Sequence, residues 1–275
     1  MSHGESVYLT LANKISEKFK IIECVEAIAL GGSQTSGSLD KHSDIDLYIY
    51  SSETISLAAR QEIVDKLGAS KADLNLTFWD LGDEWFDLET GIEVDIIYWD
   101  KSWIEEQLQR LLISHQANMG YSTCFWQTVC SSKILFDRNG WFAQLQNKYK
   151  VSYPESLKQA IISKNQPVLR DVIPSYYMQI KKALDRQDLL SINHRLAALF
   201  ASYFDVLYAV NKVMNPGEKK VLNYVLQSCA KVPADLHKQV NNILLSAAAG
   251  DRILLNQLDE LLDGLDNLLA AENPV

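Results

Sequence analysis

The sequence predicts an α/β (α+β) domain built on a small mixed sheet, followed by an all-α helical bundle. Three observations carry this. Strand-like and helix-like stretches alternate through the first half, strand signals cease near residue 145, and the apolar residues beyond it recur at helical spacing. The division is placed at 1–144 and 145–275.

The amphipathic segment 7–20 is expected as a helix, and CVEAIAL (24–30) as a strand ending at Gly31. DLYIY (46–50), LNLTFW (74–79) and IEVDIIYW (92–99) are rich in β-branched and aromatic residues and are expected as strands. TISLAARQEIVDKLGA, between the first two of these, has helical periodicity and a glycine stop. A last strand is expected at KILFD (133–137), closed by Asn139-Gly140. Helices follow at 155–164, 168–187, 188–214, 216–231, 234–248 and 251–272. Asn215-Pro216-Gly217-Glu218 has the chemistry of a helix start, with Asn as N-cap and Pro at the first helical position.

The chain of 275 residues is 47% hydrophobic and 22% charged, which suits one or two globular domains. Its net charge of −9 argues against general nucleic-acid binding, which needs Lys and Arg to displace counterions. It leaves room for a carboxylate metal site or a cationic small molecule. Cys24, Cys124, Cys130 and Cys229 have no C-x-x-C spacing and are read as reduced thiols of a cytoplasmic protein. The first residues lack the basic start and apolar run of a signal peptide. The most apolar window, 196–210, is interrupted by Asp205 and too short to span a bilayer, so no membrane association is expected.

The chemistry concentrates in GGSQTSGSLDKHSDIDLYIY (31–50), where Asp44 and Asp46 flank Ile45 at the mouth of an expected strand. Residues two apart on a strand face the same way, so both carboxylates aim together and repel unless a cation neutralises them. Asp95 is the third candidate. A carboxylate inside the apolar strand IEVDIIYW needs a partner, which a metal shared with Asp44 and Asp46 would supply. Glu93 falls on its face by alternation. Gly31 and Gly32 allow close backbone approach, and Ser33 offers a hydroxyl and an N–H to phosphate oxygens. Singly, the glycines fit a plain turn and the aspartates a cap. Together with Asp95 they point to a nucleoside triphosphate carried with Mg2+ and to in-line phosphoryl displacement.

Gly32-Ser33, ten residues, then Asp44-Ile45-Asp46-Leu47 resembles the signature of the polymerase-β-type nucleotidyltransferase superfamily, with Asp95 matching its third carboxylate. The helical second half and FDVLYAVNKVMNPGEKK (204–220) resemble the small-molecule branch, the aminoglycoside and lincosamide nucleotidyltransferases. This implies Mg2+, ATP or another nucleoside triphosphate as donor, and transfer of a nucleoside monophosphate, AMP foremost, to a hydroxyl of a small molecule. An aminoglycoside or lincosamide antibiotic is among the candidate acceptors. Asp44, Asp46 and Asp95 would bind metal, and Asp95 would also activate the acceptor hydroxyl as base. Relatives often carry an arginine in the turn where this chain has Ser36 before Gly37. That departure leaves the triphosphate to Ser33, to the backbone of Gly31 and Gly32, and to Lys219 or Lys220.

Asp171 and Asp205 are the fallback bases, and Asp83, Glu84, Asp87 and Glu89 are expected as a solvated acidic loop that would favour a cationic acceptor. Two alternatives stand beside the main expectation. One is a protein-modifying adenylyltransferase, antitoxin-like or regulatory; the other is a catalytically inactive nucleotide-binding interaction protein. Three intact carboxylates favour catalysis. A homodimer is compatible with the sequence.

Overall fold

The computed structural model describes residues 7–32 and 44–272. Contacts divide the chain into two units, Met1–Gln109 with Thr128–Lys150 and Arg110–Gln127 with Val151–Val275.

The first unit opens with helix α1 (Val7–Phe19) and strands β1 (Val25–Leu30) and β2 (Ile45–Ser51). Helix α2 (Leu57–Leu67) follows, capped by Ser56, whose hydroxyl accepts from the Ala59 N–H at 3.3 Å. Then come β3 (Ala69–Leu76), β4 (Gly82–Asp87), β5 (Glu93–Asp100), helices α3 (Lys101–Leu112) and α4 (Cys124–Ser131), β6 (Lys133–Asp137) and α5 (Trp141–Tyr149). The six strands form one mixed sheet in the order β3-β4-β5-β2-β1-β6. Among the described residues only β2 and β5 pair in parallel.

One face of this sheet makes the core. Ile45, Leu47 and Ile49 of β2 join Val94 and Ile96 of β5 against Ile15 and Phe19 of α1 and Val64 of α2. Each such side chain contributes roughly 1.5–3 kcal/mol when fully buried. This fixes the register of β2, because a one-residue slip would turn Asp46 into the core.

Two details differ from the sequence expectations. LNLTFW is strand only to Leu76; Phe78 and Trp79 lie beyond it, 80% and 92% exposed. The supposed acidic loop contains β4, and its acids are not all solvated. Asp83 is buried in an ion pair with Arg60, and it accepts from the Tyr98 hydroxyl at 2.7 Å and the Asn75 N–H at 2.8 Å. Buried Asp87 accepts from the backbone and hydroxyl of Thr90, both at 2.8 Å, and so closes the β4–β5 turn. Glu84 and Glu89 are exposed.

The second unit is helical: α6 (Glu155–Asn165), α7 (Tyr176–Asp185), α8 (Leu189–Asn211), α9 (Val221–Ser228), α10 (Leu236–Ala249) and α11 (Ile253–Glu272). Helix α8 is buried on every side from Ser202 to Val210, as suits a central helix. The expected segment 168–187 is helical only from Tyr176, where Ser175 caps it, and 216–231 only from Val221. Asn215 is no N-cap. Its side-chain oxygen accepts from the Gly217 N–H at 3.0 Å, and its amide donates to Asp205 at 3.2 Å, so it closes a buried turn ahead of the helix. Among the described residues no helix is long and apolar enough to cross a membrane.

Candidate active site

The parallel pairing of β2 with β5 sets Asp46 directly beside Asp95. On the other side of β5, Glu84 of β4 stands opposite Asp95. Three carboxylates therefore lie abreast across three strands, on the face turned away from the core. Neighbouring strands are about 4.8 Å apart, and like charges so placed are destabilising. Asp44 immediately precedes β2 and shares the face of Asp46 by alternation. Asp44, Asp46 and Asp95 are all half-buried.

The glycines explain how Asp46 fits. Gly31 extends the β1–β2 ladder, its N–H donating to the Asp46 carbonyl at 2.9 Å. Gly32 then turns with φ +65, and a Cβ there would overlap the Asp46 carboxylate. A Cβ on Gly31 would come 2.5 Å from the Tyr48 ring. The two glycines thus seat the side chains of β2, a role beyond the ligand approach expected from sequence. Ser33 lies outside the described residues, as do Ser36, Gly37 and His42.

Tyr48, two positions beyond Asp46, continues the same face and was not singled out by the sequence. Period-two alternation from Asp46 is the signal that finds it. Its ring lies 4.7 Å from that of Trp99, which in turn donates to Asp80 at 3.1 Å. Burial, and then the charges of Asp46 and Asp95, push its phenol well above the usual range, against a hydrogen bond with Thr128. Tyr48 therefore stays protonated beside the carboxylates. Tyr50 extends the aromatic wall, its ring 4.6 Å from Phe142 and 5.7 Å from Trp141. Trp85 belongs to the core on the other face, not to this wall.

Among the described residues no group of three or more His, Cys, Asp or Glu side chains is arranged to hold a metal ion. Mg2+, however, is commonly held by one or two carboxylates together with substrate phosphates, and it keeps several waters. The Asp46–Asp95 pair, made of hard oxygen donors and half open to solvent, fits that requirement.

Other sequence candidates lie in the helical unit. Lys219 and Lys220 are exposed just ahead of α9. Asp171 is exposed and accepts from Gln166 at 2.9 Å. Asp205 is 1% exposed and accepts from the Ser122 N–H and the Asn215 amide, so it is a structural pin that an acceptor hydroxyl cannot reach.

Residues 13–109 match the family model described as polymerase beta, nucleotidyltransferase. This segment is a polymerase-β-type nucleotidyltransferase domain. It contains Gly31, Gly32, Asp44, Asp46 and Asp95, and the match supports nucleotidyltransferase activity. The chain has likenesses among solved structures. A nucleotidyltransferase-like protein from Exiguobacterium sibiricum is 12% identical, with 96% of this chain and 74% of that one covered and a TM-score of 0.45. A spectinomycin adenyltransferase from Enterococcus faecialis, solved with ATP and spectinomycin, is 11% identical over 92% and 98%, with a TM-score of 0.31. A toxin-antitoxin solved with AMP-PNP is 20% identical over 59% and 98%, with a TM-score of 0.30. Likenesses at these scores speak neither of substrate nor of partner. No curated protein matches the chain.

Proposed function

We propose that this protein is a Mg2+-dependent nucleotidyltransferase that moves a nucleoside monophosphate, AMP foremost, from a nucleoside triphosphate to a hydroxyl of a small molecule. The observation that carries the proposal is the placement of Asp46 beside Asp95 on parallel strands, with Gly32 cleared for the Asp46 carboxylate. Asp44, Asp46 and Asp95 hold the cation, which when bound offsets the charge of the triphosphate. Asp95 accepts the proton of the attacking hydroxyl, a service worth about 10²- to 10⁴-fold in rate. The backbone of Gly32 and the Ser33 hydroxyl bind phosphate oxygens, since the Gly31 N–H is already given to the Asp46 carbonyl. The chemistry belongs to the domain 1–144, and 145–275 forms a separate helical domain. A hydroxyl-rich aminoglycoside or lincosamide antibiotic is the leading acceptor class, which would make the reaction one of antibiotic resistance. Four cysteines outside any disulfide agree with a cytoplasmic setting.

Transfer to a protein hydroxyl is the second candidate. It is favoured by Phe78 and Trp79, both exposed and in edge contact at 6.3 Å, since exposed aromatic pairs are common anchors of protein interfaces. Incubation of the full chain with labelled nucleoside triphosphates, Mg2+ and panels of aminoglycosides, lincosamides and proteins tests both. Label on a small molecule is the expected result, lost in Asp46→Asn. Label on a protein alone selects the second candidate, and label that persists in Asp46→Asn removes the metal-site assignment.

A further inference from the structure

The helical unit holds a cavity of about 400 Å³ among α8, α9 and α10. Of the residues that the sequence offers to the triphosphate, Lys220 lines it. Its floor is apolar, with Phe200 and Phe204 of α8, Val221 and Leu222 of α9 and Val240 of α10. Its polar groups are few: Tyr121, Asn223, Asn241, one carboxylate (Glu218) and one ammonium (Lys220). An apolar body with a small number of placed polar groups is the general pattern of a small-molecule site.

Two sides of this cavity are fastened to one buried residue. Asp205 accepts from the Ser122 N–H at 3.0 Å, one residue after Tyr121. It also accepts from the Asn215 amide at 3.2 Å, at the head of the loop that carries Glu218 and Lys220. The Asn215 N–H donates in turn to the Thr123 hydroxyl at 2.7 Å, and the Gly120 N–H to the Asn165 side chain at 2.8 Å. The groups bonded to Asp205 are neutral, and a buried carboxylate without a countercharge is costly. Here that cost sits at the junction of both sides. The backbone is also held in an uncommon conformation there: Tyr121 has φ 54 and Lys220 φ 54, a region that non-glycine residues rarely adopt. Gly120, at φ 75, allows this at Tyr121, because a Cβ in its place would come 2.9 Å from that of Ala201. The lining is thus fixed in advance by this network of buried bonds.

We infer that this cavity binds a small zwitterion with an aromatic or branched apolar body, the chemistry of a free apolar amino acid. The body lies against Phe200 and Phe204, the ammonium meets Glu218, and the carboxylate meets Lys220. This site stands whether or not the sheet domain transfers nucleotides.

Calorimetric titration of the full chain tests it with L-tryptophan, tryptamine, indolepropionate and indole. L-tryptophan should bind saturably, and each analogue lacking a charge should bind at least ~10-fold more weakly, since a hydrogen bond to a charged group is worth about 1.5–3 kcal/mol. Glu218→Gln should weaken L-tryptophan and tryptamine by ~10-fold and leave indolepropionate unchanged. Ala197→Phe, at an exposed lining position of α8, should fill the cavity and abolish binding with the melting temperature preserved. Three results would each overturn the inference: no saturable L-tryptophan binding, equal affinity for an analogue lacking one charge, or undiminished binding to a folded Ala197→Phe protein.

Discussion

The carboxylate of Asp46 lies where any side chain on Gly32 would have to be. The two positions are linked by sterics as well as by spacing in the sequence, and the turn also needs the positive φ of 65 that glycine adopts without penalty.

Gly32→Ala should therefore act on the carboxylate. The methyl group pushes Asp46 from its place beside Asp95, and the left-handed backbone adds roughly 1–2 kcal/mol of strain. Nucleotidyl transfer should fall by at least ~10²-fold while the sheet still forms. Measuring transfer beside the melting temperature separates the two effects: a stable variant with near-normal activity would show that Asp46 does not need this position.

Asp95→Asn tests the base. The amide keeps an oxygen for the cation but cannot take a proton. Triphosphate binding, read from the shift in melting temperature, should stay near normal while turnover at saturating Mg2+ drops by at least ~10²-fold. Recovery of turnover at high Mg2+ would make Asp95 a ligand only.

The Arg60–Asp83 pair is buried with hydrogen bonds to Tyr98, Asn75 and the Ile55 carbonyl. Removing one partner strands the other charge in the core. Arg60→Met or Asp83→Leu alone should cost about 3–5 kcal/mol, and the double variant much less than the sum. Denaturant unfolding of the four proteins measures the coupling, and additive losses would show that the charges do not depend on one another.

Asp205 gives a pH dependence with a definite sign. Burial pushes its carboxyl above the ordinary value, opposed by hydrogen bonds from Ser122 and Asn215. A raised folded pKa means that the anion is disfavoured in the fold. Its contribution is then most favourable at low pH and declines as pH rises from the unfolded value through the folded one. The melting temperature of the wild type relative to Asp205→Asn should accordingly rise as pH falls from about 7 towards about 4. A difference that ran the other way would mean that the hydrogen bonds outweigh burial.

The sheet was legible where apolar residues alternate without interruption. Ile45, Leu47 and Ile49 mark the core face of β2, and the same alternation delivers Asp44, Asp46 and, unremarked, Tyr48 to the other face. β4 was hidden because its core-facing residues include Asp83 and Asp87, and acids in such a stretch look like loop. The counterpart that makes Asp83 tolerable, Arg60, lies 23 residues away on α2 and has no local signature. Asn215 misled for a related reason. A residue type suited to capping was already engaged by Asp205 and Gly217, a distribution of hydrogen bonds that only the folded chain reveals. Glu84 could be named as acidic but not placed, since its position opposite Asp95 depends on the unseen strand.

The parallel pairing of β2 with β5 also constrains how the protein comes into being. Asp46 and Asp95 are 49 positions apart, and α2 and the β3–β4 hairpin lie between them in the chain. No tight turn can template such a pair, and closing so long a loop delays the contacts that repay its entropy. Catalytic competence should therefore return in refolding with the slowest phase of sheet formation, well after helical signal recovers. Until the strands pair, a nascent chain carries all its carboxylates but does not yet set Asp46 beside Asp95.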